Sequence, residues 1–455
     1  MASTFFGLTI AYSGLQAANT SLTITGHNVS NINTKGYTKQ QAGTQAADAL
    51  RTHTTYGAIG SGVVVTEISQ IRDSYYDVKY RNNMANYGQY SVKESYMGQI
   101  EDYLDEFTLN GYSQEYKNFF SAVNQLTITP GDTSAKNQLI NNAKSLADYF
   151  NTLTTNLRNV QADANNEIKD AVQQINSYAK NIAALNRQIN QIEANYGNAN
   201  DLRDKRNAMI DELSEIVNLE TSEEDMGNNV SNFSVRINGQ TLVSSYSYNT
   251  LETVARTDKK NYSDAEGLYD VQWNSGQKFD MYSTSLSGHL KGLIDIRDGN
   301  NGEHENIETD DDGNNVTDSD GNLVLTTAPA ADKTVSYKGV PYYQAQLNEF
   351  AKIFSDAVNK IMKSGYTSDG SSKGISLFVT QPNTTVMSAG NITVNPELLK
   401  NADLLAIKKE QNDGESDAKI MEELNKLQSE KIFAGGTGSY FLSLIHISEP
   451  TRPRL

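Results

Sequence analysis

The sequence predicts a multidomain, mainly α protein: an elongated helical bundle with a coiled-coil core and an inserted β-rich domain. Three observations predict it. The first 34 residues contain no Asp, Glu, Lys or Arg, yet small and aliphatic residues recur in them every seven positions. Residues 133–192 hold the longest run of helical periodicity in the chain. Beyond Leu219 the pattern switches from a period near 3.6 to a period of 2, and helical spacing returns after residue 342.

Leu8, Leu15, Leu22 and Val29 fall seven apart, with Ala11, Ala18, Thr25 and Ile32 three residues after each. This is an a/d seam, which puts one helix stripe against a partner. A lone helix of this length is marginal in water, so the seam requires a mate. Its other faces offer Ser, Thr, Asn and Gln rather than Glu and Lys, and such faces can lie against neighbouring copies without stranding an ion. An ordinary amphipathic core helix is the alternative. A membrane role is the least favoured alternative, because Ser13, Gln16, Asn19, Thr20 and Ser21 interrupt the apolar run. Met1 to Thr4 also lacks the basic start of a cleavable leader.

The first helix should end before Gly36, where Asn28, Asn31, Asn33, Thr34 and Lys35 gather turn formers. Residues 39–66 read as an irregular or β connector, with Gly57, Gly60 and Gly62 preceding Val63–Val65. A Tyr-rich helix over 73–107 offers Tyr76, Tyr80, Tyr87 and Tyr90 as bulky contacts, and a shorter helix over 114–126 stops at Pro130. In residues 133–192, Leu139, Leu146, Leu153 and Val160 keep the sevenfold spacing. The phase then changes near Ile168, and Ile175, Ile182 and Ile189 resume it. About 60 helical residues span roughly 90 Å. Another helix begins near Asn200 and carries Met209, Ile210, Leu213 and Ile216.

Phe233, Val235 and Ile237 alternate into Asn238-Gly239, a hairpin turn signature, and Leu242-Val243 begins the return strand. Residues 268–273 also alternate, 287–297 read as a short helix, and the acidic, Asn-rich stretch 299–321 reads as a solvated loop or hairpin tip. Helix is expected over 343–362, a short β excursion over 375–394 and a last helix over 417–433. The corresponding domains are 1–72 (axial helix and connector), 73–222 (long-helix bundle), 223–341 (β-rich), 342–442 (returning helices) and a tail, 443–455.

The 455 residues carry a formal net charge of −17, which disfavours nucleic acid and anionic membrane as partners. With no Cys, disulfides, thiolate metal sites and Cys nucleophiles are all impossible. Mean hydropathy of −0.56 implies thin cores. None of His27, His53, His289, His304 and His446 has a ligand-spaced partner, and no phosphate loop is present. If Gly313 were the sixth position of a calcium loop, position 12 would be Ser319 rather than Glu and the first ligand Glu308, so the run Asp310–Asp312 reads as a solvated tip. No catalytic residue, cofactor or metal site is expected.

Ser13-Gly14-Leu15-Gln16-Ala17, followed by Asn28-Val29-Ser30-Asn31-Ile32-Asn33-Thr34-Lys35-Gly36-Tyr37, resembles the N-terminal motif of bacterial flagellar axial proteins, the family of rod, hook and hook-associated proteins. The run 200–211 and the stretches 288–297 and 343–359 are similar to the hook-associated members at the hook–filament junction. The resemblance implies a non-catalytic structural subunit that is exported through the type III apparatus and polymerises at the distal end of the hook outside the cell. It implies copies of itself, the hook subunit and a second junction protein or flagellin as partners, with an export chaperone for a C-terminal helix. In such proteins the N-terminal helix pairs with that C-terminal helix. Here Ser443–Leu455 continues no helix and reads as a non-native tail standing where about 100 residues of the natural protein belong. Without that partner, residues 1–34 are expected to form a disordered arm. A hook or distal rod subunit, an extracellular surface-binding module and a secreted enzyme on an axial scaffold are the competing readings. The long helices favour the junction over the hook, and only scattered Asp and Tyr are available for an enzyme site.

Overall fold

A computed structural model describes residues 5–51, 58–104, 112–310, 312–330, 334–414, 416–428, 431–433 and 438–439. Within them the chain is mainly helical with β-rich insertions. It divides into two compact units. The first comprises residues 1–90, 169–253 and 271–291, and the second residues 91–168, 254–270 and 292–455. The tail 443–455 and His53 lie outside the described residues.

In the first unit, helix α1 (Phe6–Ser30) packs on strands β1 (Gln40–Ala46) and β4 (Val63–Gln70), which pair antiparallel. The short strands β2 (Leu50–Arg51) and β3 (Ala58–Ile59) pair between them. Helix α1 is therefore folded, and the expected disordered arm is corrected. The seam reading gave this helix a single apolar stripe, whereas Ala17 and Ile24 form a second, buried one.

Helix α2 (Ser74–Leu104) begins in this unit. Its residues Arg81, Ala85 and Gly88 are buried, while Tyr76, Tyr80, Tyr87 and Tyr90 face solvent. A Cβ on Gly88 would lie 2.2 Å from the carbonyl oxygen of Glu215 in α5 (Asn200–Ile216), so only glycine permits this approach. Strands β5 (Glu220–Asp225), β6 (Ser231–Ile237), β7 (Gln240–Ser244) and β8 (Ser247–Tyr248) form a four-stranded sheet in sequence order. Its β6–β7 turn has Asn238 and Gly239 at φ of 51° and 77°, as the Asn-Gly signature requires. Strands β9 (Leu251–Ala255) and β10 (Tyr269–Trp273) pair with each other.

The second unit holds α3 (Tyr112–Ile128), α6 (His289–Asp298, which begins in the first unit), the hairpin β11 (Glu303–Ile307) with β12 (Leu325–Pro329), and α7 (Val340–Ser364). Pairs β13 (Tyr366–Thr367) with β16 (Ala406–Lys408) and β14 (Phe378–Thr380) with β15 (Ile392–Val394) follow. They flank α8 (Pro396–Lys400), and α9 (Lys419–Leu427) comes next. The core is aromatic. Phe119 meets Phe354 at 5.8 Å between ring centroids and Phe150 meets Phe350 at 5.6 Å, and all four rings are fully buried. The last helix stops at Leu427 rather than Phe433, because its buried stripe of Ile420, Met421, Leu424 and Leu427 ends there. Lys431–Phe433 is instead strand β17, with β-prone Ile432 and Phe433, and it pairs with β18 (Gly438–Ser439). Within the acidic stretch 299–321, Asn300 and Glu305 are buried, so it is not solvated throughout.

Helix α4 (Thr133–Glu193) is continuous over 61 residues and contains no Gly or Pro, so the change of heptad phase near Ile168 does not break it. Asn side chains on the helices grip neighbouring backbone in a reciprocal manner. In the first unit, Asn176 Nδ2 donates to Leu251 O and its Oδ1 accepts from Leu251 N, both at 2.8 Å. Asn190 does the same to Ser231, at 2.8 and 3.1 Å. In the second unit, Asn359 on α7 does so to Phe378, at 2.7 and 3.0 Å. A carboxamide carries a donor and an acceptor side by side, so it replaces the strand partner that these backbone groups lack.

Candidate assembly surface

The residues that sequence singled out on α1 fall on its open side. Leu8, Leu15, Leu22 and Val29, with Ile32 just past the end of the helix, are 59–77% exposed, and Ala11 and Ala18 are exposed with them. The seated stripe of Ser13, Ala17, Ile24 and Asn28 lies on roughly the opposite side, at about 100° per residue. Ser13 Oγ accepts from Val63 N at 3.2 Å, and Gly62, at φ +111°, leaves room for it: a Cβ there would lie 2.2 Å from that oxygen. One face of α1 is thus fixed by its own hairpin, and the Leu seam is uncovered in the monomer.

The motif residues build a clasp between α1, β1 and α5. Asn28 Nδ2 donates to Gln40 O and its Oδ1 accepts from Gln40 N, both at 2.9 Å, in the same reciprocal grip seen elsewhere in the chain. Tyr37 Oη donates to Asn28 Oδ1 at 2.7 Å and lies 3.0 Å from His27 Nδ1. Because the hydroxyl has one proton and spends it on Asn28, His27 supplies the second bond as an Nδ1–H donor. Partial burial, then the carboxylates of Asp201 and Asp204, push the Tyr37 hydroxyl above its ordinary value, so it stays a donor. Asp204 Oδ2 accepts from the buried Thr38 N at 3.0 Å, and Asp201 Oδ1 accepts from Gln40 Nε2 at 3.1 Å. Gly36, at φ +82°, faces Ala208, where an added Cβ would come within 2.9 Å of the Ala208 Cβ. Asn31 and Thr34 hold the turn through Thr34 Oγ1 to Asn31 Oδ1 at 3.2 Å, and Asn33 is exposed in it.

The structure therefore brings Asn28, Gly36 and Tyr37 together with the 200–211 run, two stretches that sequence could relate only by resemblance. Sequence reasoning missed Thr38, Gln40, Asp201 and Asp204 as parts of the clasp. In the sequence Asp201 and Asp204 are two of several charges alternating along α5, and nothing local singles them out.

Among the described residues, no three His, Asp or Glu side chains are grouped to hold a metal ion, and no helix is long and apolar enough to cross a membrane. The Asp310 carboxylate accepts from the backbone N–H groups of Asp312 and Asn314, at 3.0 and 2.8 Å, and so closes its own turn.

A family model described as the flagellar hook-associated protein FlgK helical domain matches residues 97–378. The chain is 27% identical over 390 residues to flagellar hook-associated protein 1 of Bacillus subtilis (strain 168), an alignment covering 82% of this chain and 70% of that protein. It is 33% identical over 219 residues to the protein of the same name from Salmonella typhimurium, covering 48% of this chain and 39% of that one. The chain thus spans about two fifths of the length of the Salmonella relative. The solved structure of the flagellar hook junction protein FlgK from Burkholderia pseudomallei overlays with a TM-score of 0.49 at 23% identity, over 66% of this chain and 46% of that one. Since the matched family model covers more than half of the sequence, the chain belongs to the FlgK flagellar hook-associated protein family.

Proposed function

We propose that this chain is a non-catalytic structural subunit of the bacterial flagellum that joins hook to filament, polymerising at the distal end of the hook after type III export. The observation that carries the reading is the uncharged Leu seam of α1, open along its length while the opposite face is fixed to β1 and β4. A helix fixed on one side presents its other side in a defined direction, as an assembling subunit needs. In this reading residues 1–72 carry the axial contacts, 73–222 and 342–442 the helical shell, and 223–341 the outer face. Copies of the chain, the hook subunit and a second junction protein or flagellin are its partners, with an export chaperone before secretion.

The test replaces Leu15 and Leu22 by Asp in the full chain. Both side chains are exposed, so the stability should stay within about 0.5 kcal/mol of wild type while incorporation at hook tips, followed by electron microscopy, is lost. Normal incorporation of the folded double variant would refute the seam as an assembly surface. A single ring of label at the hook tip separates this role from that of a hook or rod subunit, which would label along the length.

A further inference from the structure

The second unit holds a cavity of about 470 Å³ walled by Arg158 of α4, by Lys259 and Tyr262 from the connection between β9 and β10, and by Asn306 and Ile307 of β11. Among the described residues its wall carries two cations and no carboxylate, in a chain whose net charge is −17. The wall is held from behind. Tyr262 N donates to Glu305 O at 2.9 Å. The buried Ser263 beside it donates from N to Glu305 Oε2 at 3.2 Å, and its Oγ accepts from Asn348 Nδ2 of α7 at 2.7 Å. Asn306 and Ile307 stand in the β11–β12 ladder opposite Thr326 and Leu325.

Neither cation is committed to an acid. Arg158 Nε donates to Ser263 O at 3.4 Å, a long bond that leaves both terminal guanidinium nitrogens without a partner among the described residues. Lys259 Nζ lies 3.9 Å from Glu266, whose side chain is 91% exposed, and a pair that long and wet holds the ammonium weakly.

We propose that this cavity binds an acidic saccharide, with Arg158 and Lys259 taking its anionic group and Tyr262 and Ile307 lying against its ring. A guanidinium offers parallel N–H donors to one carboxylate or sulfate, and an ammonium adds a second charge, so an oxyanion held by both gains charge-assisted bonds without breaking an ion pair of comparable strength. The rest of the wall suits a neutral body attached to that group. Tyr262 is 39% exposed and Ile307 half-buried, which gives apolar surface for the C–H face of a sugar, and the exposed Asn306 carboxamide has a donor and an acceptor for its hydroxyls. The volume lies in the range of small-molecule sites, and a bare ion would leave most of it to water. Because the net charge repels long polyanions at a distance, the site selects a short or sparsely charged chain.

Calorimetric titration of the full chain tests the site with trigalacturonic acid and a heparin-derived tetrasaccharide as acidic probes, and with neutral galactotriose and inorganic sulfate as controls. At least one acidic probe should bind about tenfold or more tightly than either control. Arg158→Gln and Lys259→Gln should each weaken that binding about tenfold, whereas Tyr262→Ala should weaken it and leave sulfate unchanged. Lys144→Gln, which removes a cation of α4 paired with Asp148, should have no effect and so separates the site from the general field of the protein. Sulfate binding as tightly as the acidic saccharides would reduce the cavity to an ion site and overturn the proposal. Equal binding of galactotriose, failure of both acidic probes to bind, or full affinity in the folded Lys259→Gln variant would each overturn it as well.

Discussion

Gly36 and Tyr37 sit side by side in the clasp but are required for different reasons. Gly36→Ala forces a side chain into left-handed backbone and against Ala208, and it should destabilise the first unit by about 2 kcal/mol or more. Tyr37→Phe deletes one hydroxyl and leaves Asn28 its reciprocal grip on Gln40, so its cost should be about 1 kcal/mol. Urea unfolding of the two variants checks the ranking, and an equal loss in both would refute it. At this scale the sequence was informative where one residue type has one use. The turn formers around Gly36 announced a helix stop, and Asn238-Gly239 announced its hairpin. It was silent on Asp204 and Glu305, because an acid that is buried through distant partners looks the same in sequence as one in water.

Helices with a long repeat were legible from end to end. The period over 133–192 predicts α4 within a residue of its observed bounds, since many weak preferences agree over 61 positions. Short elements fared worse. Strands β13 and β16, two and three residues long, have no pattern of their own and exist because they meet each other. Helix α1 was legible as a helix but only by one of its faces, since Ala17 and Ile24 are too few to make a second heptad. The reciprocal Asn grips give the element-scale prediction. Asn359→Leu adds an apolar, helix-favouring side chain at a fully buried site, so transfer and propensity both predict a gain. Orphaning the N–H and C=O of Phe378 should instead cost about 2–3 kcal/mol. Thermal unfolding of the full chain decides the sign, and a stabilised variant would show that the grip is dispensable.

For the whole molecule the net charge of −17 sets the terms of association. Copies repel at a distance, while the seam that we propose to join them is uncharged. Self-association followed by light scattering should therefore accelerate as salt rises from about 0.01 to 0.1 M, where the Debye length falls from about 30 to 10 Å. A rate that falls with salt would mean that opposite charges, not the Leu seam, bring copies together. A mean hydropathy of −0.56 predicts thin cores, and the chain seats several strands by polar contacts as well as by apolar ones. Asn residues on α1, α4 and α7 hold strand backbone by its N–H and C=O groups. A grip of that kind is indifferent to which side chain the held residue carries. The segments seated at Leu251, Ser231 and Phe378 can thus exchange their outward residues freely during evolution and keep their place, provided the Asn on the helix stays.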